Sequence, residues 1–321
     1  MLKLAVVGGG VMGANHARVA HRLPSVDLVA VVDQDASRAD ALQGATGARA
    51  FASVDDLLAA RAAGAIVVDA AVIAVPTRFH LPVARSILSA GLHALVEKPL
   101  AGTVEEAEEL AMIAERAGVV TMVGHVERFN AVVAETIRLS DAAVEIEADR
   151  VGPFTARVTD SVILDLMIHD LDIVRAIARS EVTRVQAVAH RRHGPTEDLA
   201  VVLLEFASGA TATLKASRLG QNKVRRLEVT LPDAVISADL IRQDISISRM
   251  QHVEFLSDSG TRYRQTGVVE IPFIENRGEP LAVELDEFAS AIAAGRAPLV
   301  PVADGLEAVR LAHLVLTAAQ R

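Results

Sequence analysis

Apolar positions over the first third of this chain fall into short unbroken runs separated by amphipathic stretches. Leu2 to Val7, Leu28 to Val32, Ile66 to Val75, Leu92 to Val96 and Val119 to Val123 are each continuous and rich in β-branched residues, as strands buried on both faces should be. Ala48 to Phe51 predicts a further short strand. Between them, helical spacing runs through Asn15 to Arg22 and Val54 to Arg61, and from His80 to Ala90, with Pro82 in the first turn and Gly91 just beyond the end, where each is tolerated. Thr103-x-x-Glu106 is a capping-box pattern that opens a helix to Ala117, closed by Gly118. Strand and helix in alternation predict a doubly wound parallel sheet.

The rhythm changes after Gly124. A helix over Glu127 to Arg138, a strand near Val144 to Ala148 and a helix over Val162 to Ala178 are followed by strands without intervening helices. These are Arg184 to His190, Ala200 to Phe206, Ala210 to Ala216, Arg225 to Leu231, Ala234 to Ala238 and Ile245 to Arg249. Turns such as Ser208-Gly209 and Pro232-Asp233 join some of them. The pattern predicts an α+β domain with a large, mostly antiparallel sheet and helices on one face. Helices over Pro280 to Ala294 and Val302 to Ala319 finish the chain. The expected domains are 1–123 and 124–321. Alternation in Ala200 to Phe206 and Ala210 to Ala216 gives apolar residues to both faces of the second sheet. A homodimer or homotetramer joined sheet to sheet is therefore expected.

Composition narrows the setting. The 321 residues suit two domains, each with its own core. Cysteine is absent, which excludes disulfides, thiolate zinc sites and a cysteine nucleophile. The longest apolar stretch, Ala65 to Pro76, is interrupted by Asp69 and is too short to span a bilayer. The opening run reads as a strand broken by glycines rather than a secretory leader, so a cytoplasmic protein without a membrane partner is expected. A net charge of −9 argues against general nucleic-acid binding.

The first strand runs into Gly8, Gly10 and Gly13, and the second ends on Asp33, at the interval of about 20 residues that a dinucleotide site requires. Gly8 allows a tight turn, Gly10 lets main chain approach a pyrophosphate, and Gly13 lets the helix lie on the strand. The helix start at Val11 and Met12 presents N–H groups with partial positive charge. Asp33 would accept hydrogen bonds from an adenosine ribose and repel a 2′-phosphate, which points to NAD. Gln34 follows it, and Arg38 keeps NADP open as the alternative.

Two constellations suit chemistry on a hydroxyl. Lys98, in Glu97-Lys98-Pro99, ends a parallel strand at the sheet edge where ligands bind. A lysine there can stabilise a developing alkoxide; a solvated surface lysine is the bland reading. Asp165, His169 and Asp172 recur at spacings that share one helix face. An aspartate one turn from a histidine fixes its tautomer, and His169 could then take a hydroxyl proton. A structural His–Asp pair is the alternative. No third ligand stands at a recognised metal spacing, so no metal is expected. Lys215, Arg218, Lys223, Arg225 and Arg226 cluster in an acidic chain. Outward solvated charges explain at least half of them, and Arg218 and Lys223, at strand ends and loop, are the better candidates for holding a diphosphate.

With Ala74-Val75-Pro76-Thr77 and His80 added to these motifs, the chain resembles the glucose–fructose oxidoreductase, inositol dehydrogenase and rhizopine-catabolism family over its whole length. The resemblance implies an N-terminal Rossmann domain, a C-terminal sheet domain used in oligomer contacts, and an active site between them. It implies Lys98 and His169 as the catalytic pair, with Asp165 supporting or sharing the substrate contact, and Pro76, Thr77, His80 and Glu97 lining the cofactor cleft. For His80, helix capping is the equal alternative. Gly124 to Asn130, with His125 and Arg128 as substrate contacts, and Asp165 to Asp170 are similar to members that oxidise C3 of a UDP-N-acetylhexosamine. Ala131 departs from the proline expected there. Oxidation of myo-inositol or a free sugar, and a non-catalytic NAD(H)-sensing role, are the alternatives.

Overall fold

The computed structural model describes residues 1–155, 160–249, 253–256, 259–260, 262–265, 267–274 and 277–320. The chain divides into two compact units, Met1–Phe129 with Gly278–His313, and Asn130–Arg277 with Leu314–Arg321. This differs from a simple break at 123, because the chain returns to its first unit near the end.

The first unit is built on six strands, β1 (Leu2–Val7), β2 (Val26–Val32), β3 (Arg49–Phe51), β4 (Ala70–Ile73), β5 (His93–Glu97) and β6 (Thr121–Gly124). They lie in the order β3-β2-β1-β4-β5-β6, and every pairing is parallel. Leu4 to Val6, Ala70 to Ile73 and Ala94 to Val96 are wholly buried, so an unbroken apolar run is what such strands require. The helices are α1 (Val11–Ala20), α2 (Ala36–Thr46), α3 (Val54–Ala62), α4 (His80–Ser89) and α5 (Val104–Ala117). Thr103 caps α5 by accepting from Glu106 N–H, and Gly118 closes it at φ 63°, as the capping-box pattern predicts. Helix α2 escapes the hydrophobic pattern because Ala39 is its one buried residue. The run Ile66 to Val75 shortens to β4. Val67 is exposed, and the Asp69 carboxylate turns back to accept the Lys3 N–H at 2.9 Å.

The expected helix over Glu127 to Arg138 is split. A 3-10 turn, Val126–Phe129, closes the first unit, and α6 (Ala131–Leu139) opens the second, capped by the Asn130 side chain. The second unit contains an eight-stranded sheet. Its strands are β7 (Glu145–Val151), β8 (Val182–His190), β9 (Leu199–Phe206), β10 (Thr211–Ser217), β11 (Val224–Thr230), β12 (Ala234–Asp239), β13 (Asp244–Arg249) and β16 (Val268–Glu270). β14 (Val253–Leu256) and β15 (Arg262–Gln265) form a separate pair. The order of the large sheet is β16-β13-β12-β11-β7-β10-β9-β8, antiparallel except where β10 meets β7. Helices α6 and α7 (Ile168–Ala178) pack on it. In β9, Ala200, Val202, Leu204 and Phe206 are buried while Val201 and Leu203 are exposed, the two-faced alternation the sequence carries.

The last two helices, α8 (Pro280–Ala294) and α9 (Val302–Ala318), begin in the segment that belongs to the first unit. Val123 N–H donates to Val300 O at 3.0 Å, which covers the edge of β6. A side chain on Gly305 would meet Val123 at 2.7 Å, so α9 sits directly against that strand. Arg18 of α1 ion-pairs with Glu279, and Ser25 donates to Asp286 at 2.7 Å.

One ion pair organises the second core. Arg150 of β7 and Asp170 of α7 are almost fully buried, and the guanidinium grips both carboxylate oxygens at 2.8–3.0 Å. Removing one partner of such a pair leaves a buried charge uncompensated, which costs about 3–5 kcal/mol. Asp170→Ala should therefore lower the unfolding free energy by that amount in urea titrations. A loss below about 1 kcal/mol, the scale of a surface pair, would contradict this account of the core.

Candidate active site

In the first unit the strand order reverses between β1 and β4, the switch point at which open α/β sheets take ligands beyond the carboxyl ends of their strands. The β1–α1 turn there is fixed by close backbone approach. Gly8 has φ 102°, and a Cβ on it would lie 2.5 Å from Ala74 O. A Cβ on Gly13 would lie 1.7 Å from Gly8 O. At Gly10 a Cβ would meet nothing within 4 Å. The protein itself therefore tolerates a side chain at Gly10, and its absence leaves a cradle open to a ligand. Helix α1 has no acidic residue in its first turn and no side-chain cap, so its leading N–H groups, at Val11 and Met12, suit a pyrophosphate.

Asp33 stands at the end of β2. Its Oδ2 accepts Gly9 N–H at 2.5 Å and its Oδ1 accepts Asp35 N–H at 2.8 Å. The carboxylate is thus locked against the glycine turn, in the place a ribose diol requires. Arg38 approaches the same turn but pairs with Asp35 at 3.3 Å. These residues fit NAD: the open turn would suit a pyrophosphate and the Asp33 carboxylate a ribose.

The loops after β4 and β5 carry the remaining candidates of this unit. His80 is buried at the start of α4, with Nε2 2.9 Å from Val75 O and Nδ1 2.9 Å from Pro99 O. Burial lowers the ring's pKa, against the pull of both carbonyls and Glu97. With both nitrogens on main chain, His80 acts as a clamp between the two loops, which departs from a direct cofactor contact. Pro76 is exposed and Thr77 half-buried beside it. Lys98 is half-buried, and the Lys98–Pro99 peptide is cis. Glu97 is buried and fully engaged. Its Oε1 lies 2.7 Å from His16 Nε2 of α1, and its Oε2 accepts Lys98 N–H at 3.1 Å. Burial opposes its charge, but the His16 bond and the charges of His16 and Lys98 outweigh it and hold the carboxyl below its usual range. His16 was not among the sequence candidates; its signal is a polar residue on the buried face of an otherwise apolar helix. His125 is buried and Arg128 lies 3.6 Å from Asp304.

In the second unit the expected helix over Val162 to Ala178 begins with a π turn, Ile163–Met167, before α7. Such turns are frequent at functional sites. Asp165 lies in the π turn and His169 in the first turn of α7. Asp165 remains about a quarter exposed, whereas His169 is buried with only its edge accessible and Asp172 is buried. Arg218, just past β10, is buried. It points to Asp165 Oδ2 at 3.5 Å and donates to Asp160 O. Arg218, expected as a diphosphate-binding cation, thus lies beside Asp165. Lys223 is exposed in its loop, as are Lys215 and Arg226 on strands, and Arg225 donates to Val151 O and Val224 O. Among the described residues, no group of three His, Cys, Asp or Glu could hold a metal ion, and no helix is long and apolar enough to cross a membrane.

A 3-2-1-4-5-6 parallel sheet with this glycine turn and an acid at the end of β2 is the Rossmann fold of a dinucleotide-binding protein. Residues 2–125 match the model for the oxidoreductase family GFO_IDH_MocA, NAD-binding Rossmann fold, and residues 137–237 match the model for the GFO/IDH/MocA C-terminal domain; the chain belongs to this family of NAD-binding oxidoreductases and is an NAD-dependent dehydrogenase, as its relatives are. The UDP-N-acetylglucosamine 3-dehydrogenase of Acidithiobacillus ferrooxidans is 32% identical over 92% of this chain and 90% of its own. A solved structure of that enzyme, GnnA, superimposes with a TM-score of 0.88 at 30% identity, covering 99% of this chain and 98% of that one. The scyllo-inositol 2-dehydrogenase (NAD(+)) of Bacillus subtilis is 28% identical over 93% of this chain and 88% of its own. A structure of GenD2 from gentamicin A biosynthesis, in complex with NAD, gives a TM-score of 0.82 at 26% identity over 99% of this chain and 94% of that one.

The locked Asp33 carboxylate predicts cofactor preference. NAD should bind more tightly than NADP by fluorescence titration, and Asp33→Ala should narrow the gap by weakening NAD. Equal or tighter binding of NADP by the unmodified chain would refute the assignment.

Proposed function

We propose that the protein oxidises the C3 hydroxyl of a UDP-N-acetylhexosamine to a ketone. Bound NAD supplies the acceptor for the hydride that leaves the carbon. His169 takes the hydroxyl proton, Lys98 stabilises the oxygen as it becomes a carbonyl oxygen, and Asp165 bonds the sugar while Arg218 fixes its orientation. Gly8 to Gly13, Asp33, Pro76 and Thr77 hold the cofactor, with His80 and Glu97 setting the loops that carry Lys98. His125 and Arg128 add substrate contacts, and Lys223 is the exposed cation best suited to the diphosphate. The observation that carries the reading is the presence of Lys98 at the carboxyl end of β5 and of Asp165 and His169 on one helical segment, in a chain 32% identical to a nucleotide-sugar dehydrogenase over 92% of its length. Both catalytic side chains retain some solvent access, as groups that exchange protons with a substrate require.

Oxidation of a free cyclitol is the second reading, favoured by the inositol dehydrogenase relatives. We place the protein in the cytoplasm, a setting supported by its use of a diffusible dinucleotide. We also propose a homodimer or homotetramer formed through the outward face of the eight-stranded sheet, where Val188, Val201 and Leu203 are exposed.

Comparison of UDP-N-acetylglucosamine with myo-inositol at equal NAD tests the substrate. NADH should form with the nucleotide sugar; turnover of inositol alone would replace the first reading by the second. Lys98→Ala and His169→Ala should each lose about 10²–10⁴-fold in kcat while NAD affinity persists, since general acid–base groups act in the transition state. Near-normal turnover in both would remove them from the chemistry. Light scattering of the purified chain should give a multiple of the 33.9 kDa monomer mass, and a monomer would end the sheet-to-sheet proposal.

A further inference from the structure

Helix α8 carries a carboxyl that the chemistry above does not use. Leu281, Leu285 and Phe288 form its buried stripe, and Glu284 stands inside that stripe with no exposed surface. Neither of its oxygens has a hydrogen-bond partner among the described residues. A buried carboxyl without a donor is rare and demands a reason. Helix α8 packs on α1, whose His16 bonds Glu97, the residue before Lys98.

The two carboxyls are treated very differently by their surroundings. Both oxygens of Glu97 are occupied, one by His16 Nε2 and the other by Lys98 N–H. Glu284 has neither. Helix α8 packs on α1 and on the turn Val126–Phe129. The charged or titratable groups those elements bring are His16, committed to Glu97; Arg18, committed to Glu279; and Glu127 and Arg128, the latter beside Asp304. When two buried carboxyls interact, one ionises first and the other keeps the proton. The donors decide which: Glu97 carries the charge, and the proton stays on Glu284.

We propose that Glu284 is a positioning residue for Lys98: a neutral, proton-bearing carboxyl behind the site that leaves Glu97 as the single negative charge against the lysine. Loss of that proton places a second charge in the same pocket and pushes Glu97 off its bonds to His16 and the Lys98 main chain. Turnover then falls on the alkaline side for a reason outside Lys98 itself. Burial first, and the charge of Glu97 second, raise the Glu284 carboxyl well above its usual range, in line with the geometry. The proposal rests on Lys98 as a catalytic group, and it adds a residue and a pH response to that reading.

The sign of the effect on stability follows from linkage. The folded chain keeps a proton that the unfolded chain releases at ordinary carboxylate pH, so stability falls as pH rises from that value toward the raised one. Glu284→Gln keeps shape and neutrality and removes the titration. Melting temperatures of the full chain should therefore show the variant gaining on the unmodified protein as pH increases from about 4.5, the usual glutamate range, with the difference closing in acid. In kcat profiles the alkaline limb of Glu284→Gln should move upward by about one pH unit, a tenfold gain in activity at the foot of the limb. A melting difference that does not change with pH overturns the proposal. So does a pH-dependent difference accompanied by superimposable kcat profiles, because the proton would then have no hold on Lys98. The infrared carboxylic-acid band of the unmodified protein provides a reading that needs no variant: absence of any protonated carboxyl at neutral pH would be fatal. Lys98→Ala separates the two claims. Normal turnover there defeats the catalytic reading of Lys98, and with it the positioning role, whatever the titration shows.

Discussion

The contact on which the rest of the first unit depends is the approach of Gly13 to the carbonyl of Gly8, so close that a Cβ would stand 1.7 Å from that oxygen. It sets helix α1 directly against β1. The consequences run in both directions along the helix. At its start the N–H groups face the ligand side of the sheet, and Gly9 comes within reach of Asp33. One turn further in, His16 reaches Glu97 at the end of β5. The pyrophosphate cradle and the strand end that carries Lys98 are therefore mechanically one object. A distortion of the glycine turn would reach the lysine through a single hydrogen bond.

The second unit solves a similar problem with charge. A helix that presents Asp165 and His169 must be held at a fixed height over the sheet. Arg150 and Asp170 do this from β7 and α7, and Arg218 from the end of β10 reaches back to Asp165. The wide π turn at Ile163–Met167 carries the second of these anchors, Asp165, and runs directly into the helix that carries the first. Asp165, in that turn, is the more open of the two groups.

Most of the framework was legible in the chain, and the exceptions have specific causes. The parallel strands announce themselves because burial on both faces demands an unbroken apolar run. The caps Thr103 and Gly118 do so because they serve orphan backbone groups. Helix α2 was silent because it presents almost no apolar face. The split at Asn130 was silent because both halves keep helical composition. Among the candidate residues, types and spacing singled out Lys98 in the first unit and Asp165 and His169 in the second, but could not tell a cation that meets solvent from one that meets a carboxylate. Arg218 looked like the first and is the second. His80 read equally as a cofactor-cleft residue or a helix cap, and its two nitrogens lie against carbonyls of the loops it joins. Such partners come from distant chain segments and leave no local trace.

The return of residues 278–313 to the first unit has an implication for biosynthesis. During synthesis from the amino end, the nucleotide-binding sheet is complete long before α8 and the start of α9 exist. Until they emerge, β6 has no cover from Val300 and α1 lacks the helix packed on it. The intervening strands of the second unit must all be made first. Domains that end where the next begins can fold in the order of their synthesis. This one cannot, and its dinucleotide half is among the last parts of the molecule to be finished.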